Sequence, residues 1–320
     1  MTYQVVLIGG DGIGQEVIAA AHRVLAQLNL PLKFVEAEAG FGVFQRVGTA
    51  LPNETLAICE RSDAILFGAT SSPMEKVKGY LSPILQLRRH FDLFANLRPA
   101  LHGAIDVLVV RENTEGLYSG IERIENNGQT AITERRITAY ASQRIVEVAC
   151  QQSMQRRRKL TIVHKANVLK ETCGLFRRVA LEVVSDFPEL EVEEMLVDTA
   201  AMRLVQQPSH FDVLVTTNLF GDILSDLLAG LCGGLGIAPS ANIGNKRPAL
   251  FEPVHGSAPD IAGKGVADPR AAILSGAMML HYLGFCDIAK RLQTVTYAVS
   301  HTGNTQATTD AIIERLEQGI

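Results

Sequence analysis

Short apolar runs without charged residues recur along this chain and alternate with stretches that have the helical spacing of apolar residues. Runs of this kind occupy residues 5–8, 64–70 and 213–217. Uninterrupted apolar strands are typical of a parallel sheet covered on both faces, whereas a sheet with one solvated face shows strict alternation. The sequence therefore predicts an α/β fold with a largely parallel sheet.

Size and charge limit the domain organisation and the partners. The 320 residues, 47% of them hydrophobic, suffice for one large domain or two. A formal net charge of -4 argues against nucleic acid or an anionic membrane as main partner, and we expect the basic cluster 156–159 to be solvated helix surface. Without a bilayer-length apolar run or a signal-like start, we expect a soluble cytoplasmic protein.

The cysteines indicate buried, reduced thiols. They are odd in number, widely spaced and never arranged as Cys-x-x-Cys. This pattern predicts neither a disulfide framework nor a zinc site. The positions are Cys59, Cys150, Cys173, Cys232 and Cys286.

The first strand is followed by a glycine-rich turn and a helix, which is the layout of a dinucleotide fingerprint. The spacing differs, however, because Gly10, Gly12 and Gly14 alternate and no Gly-x-Gly-x-x-Gly fits the turn. The acidic residue expected after the second strand is at best Glu36 or Glu38. We therefore expect no standard Rossmann pyrophosphate site, and the glycines serve a tight turn against a ligand or another loop.

Asp222 and Asp226 follow the 213–217 strand at helical spacing, so both carboxylates should lie on one face, one turn apart. A divalent cation such as Mg²⁺ or Mn²⁺ would relieve their repulsion. Taken alone, the stretch favours a simpler explanation, in which acidic residues stabilise the positive end of a helix.

Other charged residues lie near predicted element ends. Arg88, Arg98 and Arg111 would bind a di- or tricarboxylate if they converge, and the alternative is three separate ion pairs. Lys165 ends a buried strand, where lysine is rare unless its charge is used or paired.

Two loops stand out by length and composition. The long loop 251–265 is rich in backbone donors and suits a ligand with phosphates and ribose. The polar segment 120–134 is flanked by alternating runs and predicts a hairpin or arm.

Five segments in this order (10–14, 111–118, 165–168, 218–226 and 255–265) resemble the β-decarboxylating dehydrogenases, which act on isocitrate, isopropylmalate and homoisocitrate. The similarity covers essentially the whole chain, and it is closest to the homoisocitrate dehydrogenases. The resemblance implies a non-Rossmann α/β fold in two domains. Residues 1–96 plus 238–320 would form the cofactor-binding domain, and 97–237 the dimerisation and metal/substrate domain.

The resemblance also implies a homodimer, sometimes a tetramer, in which the 120–134 arm is a dimer clasp and the partner completes an active site in the domain cleft. Asp222 and Asp226 would hold Mg²⁺ or Mn²⁺ together with Asp198 of the partner. Arg88, Arg98 and Arg111 would bind the malate carboxylates. Lys165 of the partner would help to deprotonate the 2-hydroxyl, and Tyr118 would protonate the enolate carbon.

The cofactor implied is a nicotinamide dinucleotide. A carboxylate at Asp260 can accept hydrogen bonds from ribose hydroxyls and would repel a 2′-phosphate, so we expect NAD. The family usually has asparagine where Asp268 stands, so we expect altered adenine contacts, and the segment 301–307 lacks the usual Pro-Asp-Leu-Gly-Gly run. The implied cofactor residues are Thr70, Asn167, His255, Gly256, Ser257, Ala258, Pro259, Asp260, Ile261 and Asp268.

Substrate choice should reside in segment 70–88. An apolar lining of Ile84, Leu85 and Val168 would favour 3-isopropylmalate and leucine biosynthesis. Residues 79–84 instead resemble one branch of homoisocitrate dehydrogenases, in which Ser82, Tyr80 and nearby lysines could hold an extra carboxylate. We choose oxidative decarboxylation of homoisocitrate to 2-oxoadipate, in lysine biosynthesis, with isocitrate as a further substrate.

Two readings from other classes stay open. A non-catalytic regulatory subunit of an isocitrate dehydrogenase would have lost some of the catalytic side chains, and here they all remain. A metal-free Rossmann dehydrogenase is disfavoured by the glycine spacing.

Overall fold

The computed structural model describes residues 2–318 and confirms the predicted α/β class. The strands are, in chain order, β1 Tyr3–Gly10, β2 Leu32–Glu36, β3 Ala64–Ala69, β4 Ala95–His102, β5 Ile105–Glu112, β6 Glu122–Glu125, β7 Thr130–Thr133, β8 Lys159–His164, β9 Glu191–Leu196, β10 Val213–Thr216, β11 Pro239–Ile243 and β12 Ala249–Pro253. The helices are α1 Gly14–Ala26, α2 Phe41–Val47, α3 Asn53–Glu60, α4 Pro83–His90, α5 Ala139–Met154, α6 Thr172–Val184, α7 Val197–Gln206, α8 Asn218–Leu231, α9 Arg270–Tyr282, α10 Cys286–Ala298 and α11 Thr305–Glu317.

The chain divides into two compact units. The first unit runs to Leu93 and resumes at Gly233, and the second unit is Phe94–Cys232. None of the helices within residues 2–318 combines the length and the apolar character needed to cross a membrane.

The first unit is built on strands in the order β2-β1-β3-β12-β11. The strands are parallel except that β11 runs antiparallel to β12. All six residues of β3 are buried, as expected for a strand covered on both faces. This parallel order places the carboxyl ends of β1 and β3 side by side, where the glycine turn and the loop after β3 meet.

The second unit is built on strands in the order β4-β5-β10-β8-β9. β4 and β5 are antiparallel, and the remaining neighbours are parallel. Pro99 lies inside β4, which continues to His102. Proline has a φ that is compatible with extended backbone, and it breaks a strand only where its missing N–H is needed. The predicted hairpin is the exposed antiparallel pair β6–β7.

The glycine turn after β1 serves contacts between backbone segments. Gly10 and Gly12 have φ values of 77° and 57°. A Cβ at Gly10 would lie 1.9 Å from the carbonyl oxygen of Ala69, and one at Gly12 would lie 2.0 Å from that of Ser257. Only glycine permits this approach of two loops, so the alternating spacing reflects packing against other backbone.

We expected the basic cluster at 156–159 to be solvated helix surface, but it lies outside the helices. It lies between α5 and β8, where Arg156 Nε donates to Asp212 Oδ1 at 2.8 Å. Asp212 has no exposed surface, and it also accepts a bond from the Arg157 backbone N–H at 2.8 Å. A buried carboxylate needs such partners, and this requirement draws the Arg156 side chain inward, whereas Arg157 and Arg158 are exposed.

The five cysteines are free thiols, and all except Cys286 are buried. Burial raises the pKa of Cys59 and of Cys150 to about 12. These two thiols are therefore poor nucleophiles and act as core residues.

Asp212→Asn should lower the free energy of unfolding by about 3 kcal/mol, because it removes one partner of a buried ion pair and leaves Arg156 incompletely compensated. The matched control is Asp310→Asn, which removes an exposed pair with Arg23 (side-chain exposure 43% and 46%) and should cost less than about 1 kcal/mol. Urea unfolding of both variants measures the difference, and equal effects would contradict the assignment.

Candidate functional site

Asp222 is the centre of a polar cluster in the second unit. It lies on α8, one turn before Asp226. Its carboxylate accepts a hydrogen bond from Tyr118 Oη at 2.5 Å, pairs with Arg98 Nη1 at 3.1 Å, and accepts a further bond from Arg111. The structure thus brings together five of the predicted site residues.

Arg98 reaches this cluster from β4 and is nearly buried, with 8% of its surface exposed. Its Nε donates to Asn96 Oδ1 at 2.7 Å, and its Nη1 donates to Ser225 Oγ at 2.8 Å and to Asp226 Oδ1 at 3.2 Å. These bonds fix the planar guanidinium before any ligand binds, which is suited to paired recognition of a carboxylate.

Arg111 reaches the cluster from β5 and is only 2% exposed. Asn218 Oδ1 accepts bonds from its Nε at 3.1 Å and its Nη2 at 2.7 Å. Space for the aliphatic part of Arg111 comes from Gly221, where a Cβ would lie 2.7 Å from Arg111 Cγ. Neither Asn218 nor Gly221 was predicted as a site residue, although both belong to the 218–226 stretch.

Tyr118 is half-buried, and the Arg111 guanidinium carbon lies 5.2 Å from the centre of its ring. Burial, together with the hydrogen bond to Asp222, raises the pKa of Tyr118 above its ordinary value. The phenol therefore carries its proton at neutral pH and can act as a proton donor.

The loop that carries Tyr118 is held by a carboxylate missed at the sequence level. Glu112 is 2% exposed and accepts bonds from Thr114 N at 2.8 Å, Thr114 Oγ1 at 2.6 Å and Glu115 N at 3.0 Å. Asn218 Nδ2 also donates to Glu115 O at 3.1 Å. The available signal was Glu112 itself, an acidic residue that ends β5 shortly before the tyrosine. Carboxylates at such positions often bind consecutive backbone N–H groups.

Lys165 and Asp198 form a separate pair in the second unit, with Nζ and Oδ1 2.5 Å apart. β9 ends at Leu196, and Asp198 lies in the first turn of α7. The hydrogen bond from Lys165 lowers the pKa of Asp198. The backbone beside Lys165 is held by His164, whose Nδ1 accepts the N–H of Ala166 at 3.2 Å.

Asp222 and Asp226 are the acidic pair expected to hold a metal. Within the described residues of one chain, no group of three or more His, Cys, Asp or Glu side chains is placed to hold a metal, and the expected third ligand, Asp198, belongs to the partner. Asp222 and Asp226 offer hard oxygen donors one turn apart, which fits Mg²⁺ or Mn²⁺. Burial raises the pKa of Asp226, an effect that Arg98 opposes. The pair fits two ligands of such an ion, and further ligands must come from elsewhere.

In the first unit, Arg88 on α4 is 7% exposed and pairs with Glu252 Oε1 at 2.8 Å. Asn242 Nδ2 donates to the same oxygen at 2.9 Å. The Arg88 Nε is buried without a hydrogen-bond partner in the described part of the chain. A buried N–H of this kind is costly unless a ligand accepts from it, so Arg88 retains one donor for an anion.

The other residues predicted to contact substrate differ in their surroundings. Ser82 precedes α4 as its N-cap, with Pro83 at the first helical position. Ile84 packs against the core of the first unit and Leu85 is half-buried. Val168, in the second unit, is 65% exposed.

Most of the predicted cofactor residues of the first unit lie in a loop that begins at His255. The Nδ1 of His255 bonds to Gly256 O at 3.0 Å, and the Nε2 of His255 is buried without a partner among the described residues. Burial lowers the pKa of His255, so the ring is neutral and its Nε2 can accept a hydrogen bond. Ser257 O accepts from Ile13 N at 2.9 Å.

The remaining predicted cofactor residues lie as follows. Thr70 directly follows β3, Pro259 and Asp260 are exposed, and Ala258 has a φ of 38°. Asn167 is exposed in the second unit.

Asp268 is fully engaged by a neighbour. Its carboxylate accepts bonds from Arg270 Nε at 3.0 and 3.1 Å, from Arg270 Nη2 at 2.7 Å, and from the Arg270 backbone N–H at 3.0 Å. This arrangement fixes the start of α9. The oxygens of Asp268 are thus used within the chain, whereas an asparagine could not accept so many bonds from one arginine.

Comparisons with known proteins agree with this geometry. A family described as Isocitrate/isopropylmalate dehydrogenase matches residues 4–318. The "Isocitrate/homoisocitrate dehydrogenase" of Thermus thermophilus is 51% identical, over 99% of each chain. The "3-isopropylmalate dehydrogenase" of Archaeoglobus fulgidus is 49% identical, over 91% of this chain and 89% of its own length.

Among solved structures, isocitrate dehydrogenase from Methylococcus capsulatus is 40% identical and superimposes with a TM-score of 0.93, over 98% of this chain and 99% of that one. The match spans nearly the whole chain and therefore includes residues of both compact units. The chain therefore belongs to the isocitrate/isopropylmalate dehydrogenase family of β-decarboxylating dehydrogenases.

Proposed function

We propose that this enzyme oxidises and decarboxylates homoisocitrate to 2-oxoadipate with NAD and Mg²⁺ or Mn²⁺, and that it also accepts isocitrate. The observation that carries the proposal is the cluster of Tyr118, Arg98 and Arg111 around one carboxylate, Asp222. It combines a proton donor, two fixed anion-binding groups and hard oxygen ligands. The relative at 51% identity, named for isocitrate and homoisocitrate, supports this choice.

The arginines bind the substrate's carboxylates. Arg98 and Arg111 are already oriented by buried side chains, so little conformational entropy is lost when a carboxylate binds. Arg88 adds a buried Nε donor without a partner among the described residues. The two oriented guanidinium groups of Arg98 and Arg111 match a substrate with more than one carboxylate.

Asp222 and Asp226 would hold the divalent cation, with Asp198 supplied by a second copy of the chain. When bound, the cation supplies positive charge at the substrate oxygens where negative charge develops. Lys165 of the partner would help to deprotonate the 2-hydroxyl, and the nicotinamide, when bound, would supply the hydride acceptor for carbon 2. After CO₂ departs, the electron pair remains at carbon 3, and Tyr118 donates its phenolic proton there.

The proposed cofactor is NAD, because the exposed carboxylate of Asp260 would repel a 2′-phosphate. His255 contributes a neutral ring whose buried Nε2 can accept a bond from the bound cofactor. Asp268 acts indirectly, by holding Arg270 at the start of α9.

The surroundings of α4 support a polar substrate arm. Ile84 is used in core packing, which weakens the apolar lining that isopropylmalate would need. The second candidate is nevertheless 3-isopropylmalate, since a relative of that name is 49% identical. A regulatory, non-catalytic role is less favoured because Tyr118, Lys165, Asp198, Asp222 and Asp226 are all present.

We further propose a homodimer in the cytoplasm. The second unit exposes Met202 and Val205 on α7 at 52% and 55%, and Ile223 on α8 at 57%. Ile124 on the hairpin is 73% exposed. Exposed apolar side chains beside Asp198 and on the hairpin favour a second copy, which would bring Lys165 and Asp198 to the partner's substrate.

The substrate is tested by NADH formation from homoisocitrate, isocitrate and 3-isopropylmalate in parallel, with Mg²⁺ present. We expect the highest kcat/KM with homoisocitrate and a lower value with isocitrate. A preference for 3-isopropylmalate would overturn the choice of substrate within the family. Activity with none of the three acids would favour the regulatory alternative.

Tyr118→Phe should reduce kcat by at least about a hundredfold, because it removes the proposed proton donor and keeps the ring. Tyr140→Phe is the matched control, since Tyr140 is 65% exposed and lies outside the cluster. Steady-state kinetics compares the two variants, and a wild-type kcat for Tyr118→Phe would refute the role.

Asp226→Asn should raise the Mg²⁺ concentration for half-maximal activity by roughly tenfold or more, because it removes one charged ligand. Excess chelator should abolish wild-type activity. Asp310→Asn serves as a surface control. Metal binding is also read directly by calorimetry, and unchanged Mg²⁺ affinity in Asp226→Asn would exclude Asp226 as a ligand.

A further inference from the structure

The carboxylate of Asp11, in the glycine turn after β1, binds backbone N–H groups of two other segments. Its Oδ2 accepts from Phe41 N at 2.7 Å and from Ser71 N at 2.9 Å, and its Oδ1 accepts from Gly42 N at 2.9 Å. Phe41 and Gly42 begin α2, and Ser71 opens the segment 71–82 that leads to α4. One side chain therefore joins three parts of the first unit.

The backbone is shaped to allow this approach. A Cβ at Gly40 would lie 2.7 Å from either carboxylate oxygen of Asp11, and Gly40 has a φ of 132°. The Asp11 N–H also donates to Ala69 O at 2.8 Å, at the end of β3. Asp11 is thus enclosed by backbone donors on one side and tied to the neighbouring strand on the other.

The segment 71–82 is linked to the cofactor loop by a hydrogen bond and to α2 by ring packing, and a second hydrogen bond closes the segment on itself. Ser71 Oγ and Ser257 Oγ are 3.0 Å apart, while Tyr80 Oη donates to Ser71 O at 2.8 Å. The Tyr80 ring packs edge-on against Phe41 and Phe44, with ring centres 5.4 Å apart in each case. Burial, and then the nearby Asp11 charge, raises the pKa of Tyr80, so its hydroxyl keeps the proton that it donates.

We infer that Asp11 is a positioning residue, which sets the substrate-reading segment 71–82 against the cofactor loop through Ser71, and that Tyr80 belongs to this network rather than to the substrate contact. This inference rests on the proposed function, which identifies the two ligands as a hydroxy acid and NAD. Its geometric basis is the shared hydrogen bonding of Ser71, whose N–H, carbonyl and hydroxyl each bind a different side chain.

The inference changes the role of Tyr80. A hydroxyl has one proton to donate, and the Tyr80 proton is directed to the Ser71 carbonyl. A substrate carboxylate can only accept hydrogen bonds, so it gains no donor from Tyr80 while this bond is made. The extra carboxylate of homoisocitrate is then left to Ser82 and the lysines of segment 71–82.

Asp11→Asn tests the positioning role. The asparagine NH₂ group replaces a carboxylate oxygen and cannot accept hydrogen bonds from the backbone N–H groups that now donate to Asp11. We expect amide hydrogen exchange at Phe41, Gly42 and Ser71 to accelerate at least about tenfold. We also expect KM for the hydroxy acid and for NAD to rise about tenfold each, with kcat changed less than about threefold.

Asp63→Asn is the matched control. Asp63 accepts from Gln4 N at 2.8 Å and from Arg247 Nη1 at 2.6 Å, and it lies just before β3, at the end opposite to Ser71. It should lower the thermal midpoint without changing either KM or the exchange at Ser71. Unchanged exchange at Ser71 in Asp11→Asn, or KM values equal to those of Asp63→Asn, would overturn the inference.

Tyr80→Phe separates positioning from substrate contact, because it keeps the ring and removes only the hydroxyl. We expect KM, or the dissociation constant measured by calorimetry, to rise by a similar factor of about three to ten for homoisocitrate and for 3-isopropylmalate. A rise confined to homoisocitrate would place the hydroxyl on the extra carboxylate and overturn the assignment. If the wild type turns over none of the acids, the proposed function fails, while hydrogen exchange in Asp11→Asn still decides the role of Asp11.

Discussion

The candidate site depends on the hydrogen bonds and ion pairs of the Asp222 carboxylate. This carboxylate supplies an opposite charge to the nearly buried guanidinium of Arg111 and accepts the hydrogen bond of the Tyr118 phenol. The room for Arg111 comes from Gly221, and its orientation comes from Asn218. One turn of α8 therefore holds the anion-binding group, its counter-charge and its space together.

The first unit is organised by a different principle. There, backbone N–H groups and carbonyls of separate loops meet at the carboxyl ends of β1 and β3, and small residues allow the contact. Asp11 replaces the water that those N–H groups would otherwise bind. The position of the loops is thus set by hydrogen bonds between backbone and side chains, together with the packing of the Tyr80 ring on α2.

The fold class and most strands could be predicted from sequence because buried apolar runs are local signals. α2 could not, since it begins at Phe41 without a polar N-cap in its own sequence and takes its cap from Asp11, distant along the chain. Family resemblance could propose the site residues Arg98, Arg111, Tyr118 and Asp222. That their side chains meet in one cluster depends on the tertiary structure. The role of Glu112 could be recognised only from the geometry of the loop, because a single acidic residue forms no periodic sequence pattern.

The buried Nε of Arg88 has a consequence for the balance between the free and the ligand-bound protein. A desolvated N–H without an acceptor among the described residues destabilises the first unit by about 1–3 kcal/mol. An anion that accepts this bond removes the penalty, and the same free energy then appears both as affinity and as resistance to unfolding. An anion that accepts the Arg88 Nε–H bond would therefore stabilise the folded chain against unfolding by the same interaction that holds the anion.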